Sequence, residues 1–172
     1  MPRLLLALTI VATLGNLTSC AGYRFGGNKP AHLESVQSVH IPLAQSHVIF
    51  PRAEALTTNS VVDALVNDGT YRLAPSHKAD ATLILTLDNL AYRQTRSTSE
   101  DILRSEELSL EATVSYQLID NKNPGTILDR GRGRGRTRFF IDANLQTARA
   151  NALPDALQRA SQAIIARLAD GI

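Results

Sequence analysis

The segment from Leu108 to Leu118, LSLEATVSYQL, alternates without a break between apolar and polar side chains. Successive side chains of a β-strand point to opposite faces, so this pattern predicts a strand with one buried face and one hydrated face. Such strands are typical of antiparallel sheets that are covered on one side only. The expected buried set is Leu108, Leu110, Ala112, Val114, Tyr116 and Leu118.

Three neighbouring segments also show strand patterns. Residues 79–93 alternate apolar with polar side chains, and residues 36–42 mix β-branched and polar side chains before ending at a proline. After a turn predicted for residues 120–125, DNKNPG, residues 126–140 are expected to form a fourth strand. The alternating apolar set of residues 79–93 is Ala81, Leu83, Leu85 and Leu87.

Two segments change to the helical period. From Pro51 onward the apolar residues fall on one side of a helix, and Gly69 follows as a C-terminal stop. A final helix is expected to begin at a cap, Asp142, and to run to about Asp170, with a bend or restart at Pro154. The apolar stripes are Ala53, Leu56, Val61, Ala64 and Leu65 in the first helix and Ala156, Leu157, Ala160, Ile164 and Leu168 in the second.

The element order is therefore β-α-β-β-β-α, which predicts an α+β fold. A four-stranded, mainly antiparallel sheet with both helices packed on one face buries every apolar surface. The composition, 44% hydrophobic and 20% charged residues, is typical of a globular domain. The formal net charge of +2 indicates no particular partner.

The N-terminus is similar to a bacterial lipoprotein signal. Arg3 supplies a positive charge, and the apolar run from Leu4 to Leu14 is too short to span a bilayer. The sequence Leu17-Thr18-Ser19-Cys20 then resembles a lipobox, in which the cysteine receives acyl chains before cleavage. Cys20 is the only cysteine, so it cannot form an internal disulfide, and lipidation accounts for it. The alternative is an ordinary secretory signal with an accidental cysteine.

The domain organisation follows from this signal. We expect residues 1–19 to be a signal peptide, residues 20–34 a lipidated tether rich in glycine, and residues 35–172 a single α+β domain. Acyl chains on one cysteine anchor a protein to a membrane without spanning it. Ala21, rather than an aspartate, follows the cysteine, which favours the periplasmic side of the outer membrane.

The most unusual segment is Asp129 to Arg138, DRGRGRGRTR. In a strand, all its arginines point to one side and the intervening glycines to the other. The glycine side would let a helix approach closely, whereas glycine weakens a strand interior, so an edge or distorted strand is expected. The row on the arginine side is Arg130, Arg132, Arg134, Arg136 and Arg138.

Four interpretations of this row are open. It is a solvated edge that charge protects from aggregation, or an anion site, since guanidinium groups bind phosphate and carboxylate. For an envelope lipoprotein, the phosphates of lipopolysaccharide are the obvious anions. A nucleic-acid segment is disfavoured, because no aromatic residue interleaves the arginines and a lipobox places the protein away from nucleic acid. The fourth interpretation is an acidic protein partner.

The sequence contains no recognisable catalytic or metal-binding motif. His32, His40, His47 and His77 lack the spacing of metal ligands. No nucleophile elbow or phosphate-binding glycine loop is present. We therefore expect no enzyme activity, no metal and no cofactor.

The ordered set of motifs resembles the LPS-assembly lipoprotein family (LptE-like). The similarity covers most of residues 20–170, with two departures: Ala21 is inserted before Gly22, and Gln45-Ser46-His47 replaces an Asn-x-Thr. The matching segments are Cys20-Ala21-Gly22-Tyr23-Arg24-Phe25, Val36-Gln37-Ser38-Val39-His40-Ile41-Pro42, Glu54-Ala55-Leu56-Thr57, Tyr71-Arg72-Leu73 and Ala79-Asp80-Ala81-Thr82-Leu83.

This resemblance implies a function in the assembly and transport of lipopolysaccharide. Members of the family plug an outer-membrane β-barrel, the lipopolysaccharide translocon, and contact lipopolysaccharide through basic residues near strand ends, without catalysis. Carried to this sequence, the contact residues would be Arg93, Arg96, Arg130, Arg132, Arg134 and Arg136. The alternative is a periplasmic adapter lipoprotein of a secretion or trans-envelope complex, because small folds of this kind serve there as well.

Overall fold

The structure is a computed structural model that describes residues 29–96, 107–140 and 144–171. The expected signal peptide, Cys20 and the first part of the tether lie outside the described residues, as does Asp142. In chain order the elements are a 3-10 helix Ala31–Leu33, β1 Ser38–His40, β2 Gln45–Ser46, α1 Ala53–Asp68, β3 Arg72–Leu73, β4 Ala81–Arg96, β5 Glu107–Asp120, β6 Ile127–Phe140 and α2 Leu145–Asp170.

The sheet has six strands in the order β3-β1-β4-β5-β6, with β2 also paired to β4. The prediction of four strands was therefore wrong, because β2 and β3 contain two residues each and are too short for alternation to reveal them. The sheet is also mixed: β1 and β2 run parallel to β4, since α1 lies between them and returns the chain to the same end of the sheet. The antiparallel β4-β5-β6 unit and the α+β class agree with the prediction.

The two central strands show why the alternation was informative. The inward residues of β4 before Asp88 and those of β5 from Leu110 to Leu118 are buried in one apolar core. A β-bulge between Leu87 and Asn89 interrupts the pairing of β4 with β5. Because the bulge inserts one extra residue, Leu90 rather than Asn89 continues the inward row, opposite Ala112.

Both helices cover the same face of the sheet, as predicted, with α2 against β6 and β5 and α1 beside α2. The glycines of β6 permit this contact. A Cβ atom at Gly133 would overlap the carbonyl oxygen of Ala160, and one at Gly135 would overlap that of Ala156. The expected close approach of a helix to the glycine side of the strand is confirmed.

The helix ends agree with the sequence prediction in one case and differ in the other. Gly69 closes α1 in the left-handed conformation, as expected of a glycine stop. The N-cap of α2 is Asn144, whose side chain accepts hydrogen bonds from the N–H groups of Gln146 and Thr147, instead of Asp142. The helix also continues through Pro154 without the expected restart, since buried residues on both sides of the proline hold it against the sheet.

The described end of the expected tether is part of the packed domain. Leu33 is fully buried in the core, and the Lys29 ammonium group donates a hydrogen bond to the Val36 carbonyl oxygen at 2.8 Å. The chain is therefore held to the fold from Lys29 onward. Neither α1 nor α2 has the length and apolarity that a membrane crossing requires.

Candidate anion-binding face

The sheet surface opposite the two helices carries the arginine row, and we call it the open face. All five arginines of β6 are exposed there, next to the polar side chains of β5. β6 is the outermost strand, so the expectation of an edge strand is met. The arginine row therefore lies along one border of the open face.

Glu111 neutralises one arginine of the row. It lies directly opposite Arg136, whose Nε and Nη2 atoms donate hydrogen bonds to the Glu111 Oε2 atom at 3.2 and 2.6 Å. This hydrogen-bonded pair lowers the pKa of the Glu111 carboxyl, and the positive charges of Arg93 and Arg134 add to the effect. The Arg136 guanidinium is therefore already engaged by an anion of the protein.

The two neighbouring acids on the open face engage two more arginines. Arg138 Nη1 lies 3.6 Å from Glu107 Oε1, and Arg132 Nε lies 3.9 Å from Asp88 Oδ2. Asp88 is the extra residue of the β4 bulge, and Ser115 donates a hydrogen bond to its other oxygen at 3.0 Å. The Asp88 Oδ2 atom is buried and has no hydrogen-bond partner among the described residues. Its contact with Arg132 is therefore an ion pair without a hydrogen bond, and the positive charge compensates a buried carboxylate oxygen.

Arg130 and Arg134 differ from the other three arginines. Within the described parts of the chain, no ion pair joins either guanidinium group to an acid, although the charge of Arg134 acts on Glu111. The nearest acid in sequence, Asp129, is held elsewhere: it accepts hydrogen bonds from the Tyr116 hydroxyl at 3.0 Å and from the Arg130 backbone N–H at 2.7 Å. Burial first, and this hydrogen bond second, raise the pKa of the Tyr116 hydroxyl, so it remains a donor to Asp129.

Arg130, Arg132 and Arg134 line an open hollow of about 870 Å³ on this face. Its other walls contain no acid and are mostly hydrogen-bonding groups, and Arg167 of α2 also lines it. Guanidinium groups on such a surface bind phosphate or carboxylate oxygens, with the hydroxyl and amide groups as additional donors. The polar lining residues are Gln45, Thr86, Ser115 and Gln117.

The remaining predicted site residues lie at the other end of the sheet. Arg93 is opposite Ser109, which in turn is opposite Arg138, so Arg93 neighbours Glu111 rather than the hollow. Arg96 is the last residue of β4 and pairs with Glu107, and its side chain lies outside the described residues. The structure thus brings Arg130, Arg132 and Arg134 together at the hollow, whereas Arg136, the next arginine of the row, is paired with Glu111 and Arg93 lies near that acid.

Of the residues that line the hollow, sequence reasoning predicted only Arg130, Arg132 and Arg134 as site residues, and Gln45 and Arg167 were the hardest to foresee. Gln45 belongs to the two-residue strand β2, and Arg167 reaches the rim from the last turns of α2. Neither has a local pattern that could have indicated its position. Across residues 29–96, 107–140 and 144–171, no group of three or more histidine, cysteine or acidic side chains could hold a metal ion.

Most of the chain matches one known protein family. The model of one protein family, LptE, described as lipopolysaccharide-assembly, matches residues 36–168. No curated protein matches the chain significantly.

Three solved structures show what the fold is similar to. A hypothetical protein from Chlamydia trachomatis is 10% identical with a TM-score of 0.53, over 77% of this chain and 95% of that chain. A minor lipoprotein from Acinetobacter baumannii is 13% identical with a TM-score of 0.49, over 77% and 91% of the two chains. An uncharacterized lipoprotein B from Nitrosomonas europaea is 16% identical with a TM-score of 0.47, over 78% and 83%.

Proposed function

Because the chain belongs to the LptE family of lipopolysaccharide-assembly proteins, we propose that it is an envelope lipoprotein that binds lipopolysaccharide during its transport to the cell surface. The family match extends over residues 36–168, which includes every strand and helix that builds the open face. The observation that carries the proposal is the pair Arg130 and Arg134, two guanidinium groups without an acidic partner in the described chain, beside a polar hollow.

The binding chemistry follows from this arrangement. Phosphate groups of lipopolysaccharide accept charge-assisted hydrogen bonds from Arg130 and Arg134, and each such bond contributes about 1.5–3 kcal/mol. Arg132 contributes less, because its guanidinium group is already paired with the Asp88 carboxylate. Since these side chains are exposed, we expect the affinity to fall as the salt concentration rises. No bond is made or broken, and the proposed function is not enzymatic.

The location completes the proposal. Acyl chains on Cys20 hold the protein at the periplasmic side of the outer membrane, where it packs inside or against a β-barrel translocon. The lipobox-like sequence before Cys20 supports the anchor, and family membership supports the barrel as a partner. Eight residues, 21–28, separate the anchor from Lys29, the first described residue, so the domain stays within about 30 Å of its anchor.

Binding to lipopolysaccharide with and without its phosphates tests this proposal. The full-length lipidated protein in nonionic detergent is titrated with lipopolysaccharide and with the same preparation after enzymatic dephosphorylation. We expect dephosphorylation to weaken binding by about tenfold or more, because it removes the anions that the arginines recognise. Equal binding of the two preparations would contradict the phosphate contact.

Crosslinking in intact cells tests the partner. A photoreactive residue on the open face, for example in place of Thr113, is expected to capture an outer-membrane β-barrel protein or lipopolysaccharide. Recovery of a pilus or pump component instead would contradict the proposal and support an adapter lipoprotein of a secretion system. Intact-mass analysis of the mature protein tests the anchor, since acylation of Cys20 adds the mass of its lipids.

A further inference from the structure

The outer border of β6 is a strand edge without a partner in the described chain. β6 pairs with β5 along one side, and no described strand lies along the other. The pairing is regular from Arg130 to Phe140, since the register shift of this ladder lies before it, between Leu118 and Ile119. The segment contains no proline and no bulge, which are two common features that prevent pairing at sheet edges.

The backbone groups of β6 that face outward can be deduced from a hydrogen bond at Leu87 in β4. The Leu87 carbonyl oxygen accepts a hydrogen bond from the His47 N–H at 3.0 Å, so it points away from β5. In an antiparallel ladder, opposite residues alternate between pairs that exchange hydrogen bonds and pairs whose backbone groups face away. Val114, opposite Leu87, therefore directs its backbone groups to β6, where it bonds with Gly133.

By the same alternation, the outward backbone groups of β6 belong to its arginines. Arg132 and Arg134 flank Gly133, so their N–H and C=O groups face the free border. The Arg130 N–H agrees with this assignment, because it donates to the Asp129 carboxylate rather than to β5. Outside the ladders of the sheet, no backbone hydrogen bond among the described residues uses the N–H groups of Arg132, Arg134, Arg136 and Arg138.

Arginines lie beside this border on both faces of the sheet. The arginine row lies on the open face, and on the helix side α2 contributes Arg167 and also Arg159, which is paired with Asp155 at 3.3 Å. A Cβ atom at Gly135 would lie 2.8 Å from the Arg159 Cβ atom, and Arg167 lines the same hollow as Gly131. Pairing with β6 of a second copy would place arginines beside arginines and is disfavoured. An acidic strand would meet a net positive charge, because the five arginines of the row outnumber the three acids, Asp88, Glu107 and Glu111, that pair with them.

We propose that the free border of β6, Arg132 to Arg138, is a docking site for an extended acidic segment of a partner protein. The segment adds as a further strand of the sheet. Its backbone bonds with the outward N–H and C=O groups of the arginines, and its Asp and Glu side chains lie beside the guanidinium groups on the open face. This site overlaps the proposed lipopolysaccharide contact at Arg132 and Arg134, and it differs from that contact because it also uses the backbone of the arginines.

A synthetic peptide of about ten residues, with alternating Thr and Glu in equal numbers, is a direct probe, since its length is close to that of the regular part of β6. Two isomeric variants of this peptide carry backbone N-methyl groups: the first variant is methylated at every Glu and the second at every Thr. The parent peptide and both variants have the same charge. Binding to the full-length protein in nonionic detergent is followed by fluorescence anisotropy. Strand addition uses the N–H groups of only one set of residues, so we expect one isomer to bind about tenfold or more weaker than the parent.

The isomer that fails also reports the strand direction. Loss on Glu methylation indicates antiparallel addition, because directly opposite residues then exchange hydrogen bonds, whereas loss on Thr methylation indicates parallel addition. Equal binding of both isomers and the parent would overturn the proposal in favour of charge attraction alone. Absence of binding by all three peptides would overturn it as well.

A matched pair of substitutions tests the same point from the protein side. Arg134→Ser and Arg134→Pro remove the same charge, but only the proline removes the outward N–H group and fills its place with a ring. We expect Arg134→Pro to bind the parent peptide about tenfold more weakly than Arg134→Ser, while the two variants bind lipopolysaccharide equally. Equal peptide binding by the two variants would contradict strand addition. If Arg134→Pro does not fold, the methylated peptides decide the question.

Discussion

Arg136 and Glu111 lie directly opposite each other on adjacent strands, and two nitrogen atoms of the guanidinium group bond to a single carboxylate oxygen. This pair divides the arginine row of β6. The arginines at the Phe140 end are matched by acids of β5, whereas Arg130 and Arg134 have none in the described chain. The repeating Arg-Gly sequence thus produces two kinds of arginine: those already paired with an acid of the protein, and those available to bind an external anion.

The Glu111 pair predicts a pKa change. Arg136 holds the pKa of the Glu111 carboxyl below its ordinary value, so Arg136→Ser is expected to raise that pKa. In the native protein the pair stabilises the fold above the ordinary pKa of a glutamate and loses its effect as the pH falls through the lowered pKa. A carboxyl-detected NMR titration measures the change, with Arg130→Ser as the matched control. An unchanged pKa in Arg136→Ser would contradict the pair.

The glycines of β6 predict a loss of stability on a conservative substitution. Gly133→Ala places a Cβ atom against the Ala160 backbone, which cannot move without lifting α2 from the sheet. We expect the free energy of unfolding to fall by about 1–3 kcal/mol. Arg134→Ala, one residue away on the exposed face, is the control and should change it by less than about 0.5 kcal/mol. Urea denaturation followed by circular dichroism compares them, and equal stability of the two variants would contradict the close contact.

The Asp80 carboxylate links β1 to the start of β4, and we predict that its contribution to the stability of the fold depends on pH. Its carboxylate accepts hydrogen bonds from the Gln37 and Ser38 N–H groups and from the Ser38 hydroxyl, at 3.1, 3.0 and 2.8 Å. These bonds, the Ser38 hydroxyl first, lower the pKa of Asp80 from 3.8 to about 2. Because the folded-state pKa is lowered, this stabilisation is present above the ordinary pKa and is lost as the pH falls through about 2.

We therefore expect Asp80→Asn to lower the free energy of unfolding at neutral pH by about 1–2 kcal/mol. The difference from the native protein should shrink as the pH falls towards about 2, where the native carboxylate is protonated. Asp63→Asn, on the exposed side of α1, is the control. Denaturation curves at several pH values give the comparison. A difference that stays constant with pH would show that the charge of Asp80 does not cause it.

The parts of the fold that the sequence predicted are those that local patterns determine. The alternation of β5 and the stop at Gly69 each depend on neighbouring residues, and both are present in the structure, the alternation from Leu110 to Leu118. The prediction was wrong at the start of β5, where Leu108 is only partly buried and Ser109 is buried. The two-residue strands β2 and β3 depend on pairing with distant segments, so no local pattern could reveal them. The same distinction applies to the site. Period two placed the arginines on one face, but only the register of β5 showed which of them face Glu111 and Glu107.

The most direct measurement compares two double variants that remove the same number of charges from the same strand. Lipopolysaccharide affinity is determined at about 0.15 M salt, where charges more than about 8 Å apart are largely screened. We expect Arg130→Ser with Arg134→Ser to weaken binding by about tenfold or more, because these guanidinium groups are free to bind phosphate. Arg136→Ser with Arg138→Ser should weaken it by less than about threefold, since Glu111 and Glu107 already engage those arginines. Equal losses in the two variants, or a larger loss in the second, would contradict the account.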